Sequence, residues 1–120
     1  MAPRAQTIVL IVEDEALVRY AVAQELRAAG YEVLESSTAE DAIARLAAGL
    51  RIDVVFTDIQ LAGALTGWDV AEQFRAADPD VPIIYASGNA ADRSRSVSNS
   101  IFLNKPYRPD DVVAACCRLT

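Results

Sequence analysis

Short unbroken apolar runs alternate along this chain with longer segments whose apolar positions recur every three or four residues. "TIVLIV" (7–12) is a continuous, β-branched apolar run, the pattern of a strand covered on both faces. In the segment that follows, Leu17, Ala21, Val22, Leu26 and Ala29 fall at helical spacing, and Gly30 is a natural stop. "YEVLE" (31–35) reads as a short alternating strand. "TAEDAIARLAAG" (38–49) opens on Thr38 with Asp41 three residues on, a start resembling a capping box, and ends at Gly49. "DVVFTD" (53–58) predicts a third strand, and a glycine-bearing loop leads to a helix from about Trp68 to Ala77. "DPDVP" (78–82) is a turn; "IIYAS" (83–87) and "IFLN" (101–104) predict the fourth and fifth strands. Pro109 followed by Asp110 and Asp111 suits the first turn of a last helix.

Five β-α units in a row with short connections imply an α/β fold, a doubly wound parallel sheet with helices on both faces. No repeat, linker or composition shift divides the chain, so residues 1–120 are expected to form one domain. In such sheets functional groups gather beyond the carboxyl ends of the strands, where strand order reverses. Asp58 ends the third strand, and Glu13 and Asp14 follow the first. With strands one and three as neighbours, three carboxylates converge on one rim.

Composition narrows the chemistry. Hydrophobic residues make up 52% and charged residues 23%, which favours a globular chain over a disordered one. The net charge of −6 and absence of a basic stripe speak against nucleic-acid binding. No apolar run approaches the roughly 18 residues of a membrane helix, and "MAPRAQ" lacks the apolar stretch of a secretory signal. A cytoplasmic location off the membrane is the expectation. There is no histidine, which excludes Ser-His-Asp and Cys-His catalysis and any histidine metal site. Cys116 and Cys117 are adjacent, a spacing that suits neither an ordinary disulfide nor a metal site, and they are expected to be small, mostly buried thiols.

Converging carboxylates repel one another, and a hard cation relieves them. Magnesium fits: a few carboxylate oxygens, retained waters and often a phosphoryl oxygen complete its octahedron. Lys105, the sole lysine beside ten arginines, ends strand five on the same rim. Its compact ammonium suits a carboxylate or phosphoryl oxygen as a point-charge partner. Ser87 ends strand four and can donate a hydroxyl hydrogen bond. A carboxylate can itself be the nucleophile, forming an aspartyl phosphate. Taken singly, each residue has a plainer role: "EDE" as a solvated helix start, Asp58 as a turn residue, Ser87 as part of a turn, Phe102 as core.

Together the pieces resemble the receiver domain of two-component response regulators over nearly the whole chain. "VLIVEDE" resembles the first-strand acidic motif, "VVFTDIQ" the phosphoacceptor strand, "IIYASGN" the fourth-strand hydroxyl motif and "FLNKPY" the lysine-proline motif. The resemblance implies a flavodoxin-like strand order 2-1-3-4-5 and a cis peptide before Pro106. It implies Asp58 as phosphoacceptor, Asp14 as a direct magnesium ligand, Glu13 acting mainly through water, and the Gln60 carbonyl as a further ligand. Lys105 would contact the phosphoryl group, Ser87 would hydrogen-bond it after transfer, and Phe102 would match the aromatic switch that turns inward. The implied donor is a histidine kinase or histidine phosphotransfer protein. The output partner is unnamed, and the expected state is a monomer or weak dimer that is not an enzyme beyond magnesium-dependent self-phosphorylation and autodephosphorylation.

Three departures stand out. Leu61 and Ala62 replace a frequent Met-Pro pair, the loop to Gly67 is about one residue longer than the commonest form, and residues 89–100 hold little apolar material. There only Ala90, Ala91 and Val97 are apolar, among four serines and two asparagines that favour turns. The expectation is a short, frayed or irregular fourth helix that orders on phosphorylation or partner binding. The alternative is a loop that stays loose, with output through another face, such as the first helix. Three other readings compete. An aspartate-nucleophile phosphatase usually has a second aspartate where Gln60 stands. A flavin module needs a phosphate loop where "EDEAL" stands. A receiver-like interaction module that is never phosphorylated would not need the full acidic set with Lys105.

Overall fold

The computed structural model describes residues 6–88 and 93–120. Nine elements follow one another: β1 (Ile8–Val12), α1 (Ala16–Ala28), β2 (Glu32–Ser36), α2 (Ala39–Ala47), β3 (Val54–Asp58), α3 (Gly67–Ala77), β4 (Ile83–Ser87), β5 (Ser100–Asn104) and α4 (Pro109–Leu119). The five strands form one parallel sheet, as the alternating pattern implied, in the order β2-β1-β3-β4-β5 that the family resemblance implied.

Strand residues alternate between two cores. Val9, Ile11, Val33, Val54, Phe56, Ile84 and Ala86 pack against Val22, Ala23 and Leu26 of α1 and Val112, Ala115 and Cys116 of α4. Leu10, Val12, Val55, Ile83 and Tyr85 pack against Ala39 and Ala42 of α2 and Val70, Ala71 and Phe74 of α3. Every residue of β3 is buried, which explains the apolar run at 54–56 with which it starts: neither face of a central strand meets water. Burying such side chains contributes roughly 1.5–3 kcal/mol each. Helix starts follow local chemistry. The Asp41 N–H donates to the Thr38 hydroxyl at 3.0 Å, and the Arg108 N–H donates to Asp111 Oδ2 at 2.8 Å in front of Pro109.

Three expectations need correction. The α1 stripe is narrower than its periodicity suggested: Leu17 is 85% exposed, and Ala21 and Ala29 are exposed, leaving Val22, Ala23 and Leu26 to anchor the helix. Leu17 sits in the first turn of α1, beyond the reach of the sheet. Cys116 is buried as expected, but Cys117, one residue around the helix, is exposed. And four helices, not five, are found among the described residues. Residues 93–99 form turns and bends where a short helix was expected, while 89–92 lie outside the described residues. The serines supply the reason. Ser96 Oγ donates to the Arg93 carbonyl at 2.7 Å and Ser100 Oγ to the Val97 carbonyl at 2.6 Å, side-chain bonds that compete with helical ones. Asn99 takes the left-handed conformation with φ 52°, which asparagine tolerates better than most.

Candidate functional site

The register of β1 and β3 builds the site. Val12 pairs with Thr57, so Glu13 and Asp58 leave the sheet side by side. The Glu13 N–H donates to the Ser36 carbonyl at 3.0 Å, and the Ile59 N–H to that of Ala86 at 3.1 Å. Both chains are therefore fixed one residue past the strand. Arg19 of α1 adds a second hold: Nη1 donates to the Glu13 carbonyl at 2.8 Å and Nε to Glu35 Oε1 at 3.2 Å. Thr57 is buried and its hydroxyl donates to the Asp58 carbonyl at 2.8 Å.

Glu13, Asp14 and Asp58 each bring a carboxylate oxygen within 4.8 Å of the other two. Glu13 and Asp58 are only 3% and 5% exposed, while Asp14 faces solvent. Burial pushes the Glu13 carboxyl up to about 7. The Glu15 N–H, 3.0 Å from Oε2, opposes the rise, and Asp14 and Asp58 add to it. Like charges crowded in a poorly solvated place stabilise the protonated form until a cation arrives. Lys105 supplies one positive charge, its Nζ donating to Asp58 Oδ2 at 2.7 Å. Burial works against the ammonium, but the hydrogen bond and charge of Asp58, with Glu13 and Glu15 behind it, hold the Lys105 pKa above its ordinary value.

The remaining residues singled out in the sequence surround this cluster at different distances. Ser87 is half-buried, and its carbonyl accepts the Lys105 N–H at 2.8 Å, so hydroxyl and ammonium stand on adjoining strand ends. Gln60 is exposed in the loop just past Asp58. Phe102 lies outside the acid cluster, half-buried on the α3 side of the sheet. Its ring centroid is 4.8 Å from Tyr85 and 5.9 Å from Trp68, and the Arg93 guanidinium carbon sits 4.1 Å above it. The Lys105–Pro106 peptide is cis.

Two contributors escaped the sequence reading. Gly67 opens α3 against the end of β3: an added Cβ there would collide with the carbonyl oxygen of Asp58 and come within 2.9 Å of the Ile59 Cα. Its sequence signal, a glycine at a helix entry, is shared with many ordinary turns. Tyr107 packs on Phe56 with centroids 5.5 Å apart, and its hydroxyl is buried without a hydrogen bond among the described residues. Burial, then the charges of Glu13 and Asp58, push its pKa up. With Glu13, Glu15, Val18, Lys105 and Pro106, Tyr107 lines an open cleft of about 440 Å³ beside the acids. A buried aspartate beside an ammonium and two further carboxylates is chemically suited to holding a hard divalent cation and to offering a carboxylate nucleophile.

Comparison with known proteins agrees with this geometry. Residues 9–116 match the model of the response regulator receiver domain. A response regulator receiver protein from Sinorhizobium medicae superposes with a TM-score of 0.90 at 36% identity, covering 95% of this chain and 94% of that one. The two-component response regulator ORR6 of rice is 29% identical over 92% of this chain and 69% of its own length. The probable transcriptional regulator ycf27 of Guillardia theta is 36% identical over 88% of this chain, which spans only 42% of that relative. Among the described residues no helix is long and apolar enough to cross a membrane.

Proposed function

Because the chain belongs to the response regulator receiver domain family of two-component systems, we propose that Asp58 accepts a phosphoryl group from a histidine kinase or histidine phosphotransfer protein. The observation that carries this reading is the buried Asp58 carboxylate, gripped by Lys105 at 2.7 Å and crowded by Glu13 and Asp14. A carboxylate oxygen of Asp58 attacks phosphorus while the phosphorus–nitrogen bond of the donor breaks. The imidazole leaves with the electron pair and takes a proton from water. Lys105 neutralises charge on the transferring oxygens, and the buried rim keeps those interactions strong. Asp14, Asp58 and the Gln60 carbonyl would hold magnesium directly, with Glu13 acting through water. Bound there, magnesium supplies electrostatic stabilisation of the phosphoryl oxygens. Ser87 then donates its hydroxyl to the acyl phosphate, and Phe102 follows, shifting a two-state equilibrium.

The donor and output partner are protein surfaces, and the site favours transfer over enzymatic turnover of a free substrate. Gln60, where a phosphatase would carry its acid/base aspartate, supports that preference. The test is incubation with a small acyl or amidophosphate donor, read by intact mass with and without magnesium. The wild type should gain one phosphoryl mass only with the cation, and Asp58→Asn should gain none. Labelling of Asp58→Asn to the wild-type extent would refute the assignment.

A further inference from the structure

Arg95, in the connection from β4 to β5, makes contacts with α3 that none of the steps above uses. Its Nε donates to Glu72 Oε2 at 3.2 Å and its Nη2 to Glu72 Oε1 at 2.7 Å, a two-pronged pair. The same Nη2 donates to Asp69 Oδ1 at 3.2 Å. Asp69 Oδ2 is occupied on the other side, accepting the Thr66 N–H at 2.7 Å and the Thr66 hydroxyl at 3.0 Å. Thr66 immediately precedes Gly67, which packs on the Asp58 carbonyl and donates its N–H to the Ile59 carbonyl at 2.8 Å. One carboxylate thus joins the β4–β5 connection to the end of the loop that starts at Asp58. Further along, the connection is held to α3 by Arg75, whose Nη2 donates to the Ser98 carbonyl at 2.6 Å.

We infer that Arg95 is a positioning residue for the acid site: through Asp69 and Thr66 it couples residues 93–99 to the 59–66 loop. The inference rests on reading Asp58 and its neighbours as a magnesium and phosphoryl site. Exposed ion pairs are individually weak, which suits a contact that must exchange between states. The two-pronged geometry gives the pair direction that a single contact lacks. A loop held in its binding conformation loses less freedom when it takes up a ligand. Coupling is reciprocal, so a ligand on the acids must alter residues 93–99 as Arg95 alters the acids.

The experiment compares wild type, Arg95→Gln and Arg95→Lys by magnesium calorimetry and by amide hydrogen exchange across 93–99. Exchange is measured with and without magnesium plus beryllofluoride as phosphoryl mimic. Arg95→Gln is expected to weaken magnesium binding about two- to thirtyfold, the range of such couplings, and to speed exchange over 93–99. Arg95→Lys, which keeps the charge but not the fork, should fall between. The mimic should change exchange over 93–99 in wild type and leave Arg95→Gln nearly unaltered. Equal magnesium affinity in wild type and Arg95→Gln, or an equal response of 93–99 to the mimic in both, overturns the coupling. If wild type binds no magnesium, the reading of the acid site fails and the coupling fails with it. Faster exchange in Arg95→Gln alone would then mark a contact that only holds the connection in place.

Discussion

Glu13 and Asp69 hold their carboxylates under opposite conditions. Glu13 stands at the end of β1, buried, facing other acids, with its carboxyl pushed up to about 7. Asp69 stands in the first turn of α3, where the Thr66 N–H, then the Thr66 hydroxyl and Arg95, hold its carboxyl below the usual range. The signs of their pH dependence follow. Glu13 stays protonated in the folded state after it has ionised in the unfolded chain, so its contribution is full below about 4.5 and is lost as pH rises toward 7. Asp69 is charged in the folded state before it is in the unfolded chain, so its contribution is present above the ordinary aspartate pKa and is lost as pH falls. One carboxylate is placed for a ligand at a cost to stability, and the other caps a helix. The two regions use the same functional group for opposite ends because one is desolvated among like charges and the other is surrounded by donors.

The sharpest way to break the contrast is at Gly67, where the two regions touch. Gly67→Ala forces a Cβ into the backbone of Asp58 and Ile59, and backbone cannot move aside as a flexible side chain can. The substitution should destabilise by roughly 2–3 kcal/mol, lowering the melting temperature by about 10 °C. An unchanged melting curve would show that the strand end and the helix start are not in close register.

Next in size is the pH response of the acid rim. Without divalent cation, stability should fall by roughly 1–3 kcal/mol between pH 4.5 and 7 in wild type. Glu13→Gln should flatten that fall and raise stability at neutral pH. Chemical denaturation at a series of pH values checks both, and an equally steep fall in Glu13→Gln would move the origin to another group. Millimolar magnesium should recover stability in the wild type at pH 7, with a smaller gain in Asp14→Asn.

The smallest effect tests the polar connection. Tyr85 is fully buried, and its hydroxyl accepts the Val97 N–H at 3.2 Å. Tyr85→Phe keeps the ring contacts with Trp68 and Phe102 but removes that acceptor, and should cost about 1 kcal/mol. Hydrogen exchange should accelerate at Val97 while the strands of the core keep their protection. Uniform acceleration across the sheet would mean that the residue supports the core and not the connection.

Much of this molecule is legible from residue pattern because its strands are short, apolar and separated by strong helix and turn signals. Runs such as "TIVLIV" and the "VVF" that opens the third strand need no distant information: a strand buried on both faces reads as a near-continuous apolar run. The convergence of Glu13, Asp14, Asp58 and Lys105 follows from strand order alone, since parallel strands present their carboxyl ends on one rim. Pattern was a poorer guide where exposure depends on a partner element. Leu17 fits the apolar period of α1 yet lies 85% exposed, because among the described residues no element covers its side of the helix. The scarcity of apolar residues at 89–100 announced a weak helix, and the described part of that segment, 93–99, holds none.

The sequence by itself determined the alternation of strands and helices, the acidic ends of the first and third strands and the lone lysine after the fifth. Those are local properties, carried by periodicity and by residue type. Tertiary structure alone decided the electrostatic state of each acid. Glu13 is desolvated by burial and faces Asp58 from another strand, and Asp69 receives Arg95 from 26 residues away; only the hold of the nearby Thr66 on Asp69 is local. Only tertiary structure could set Arg95 across α3 and bring Gly67 against Asp58. Contacts between exposed side chains and close approaches of backbone leave no periodic trace, because a single residue on each side suffices to make them.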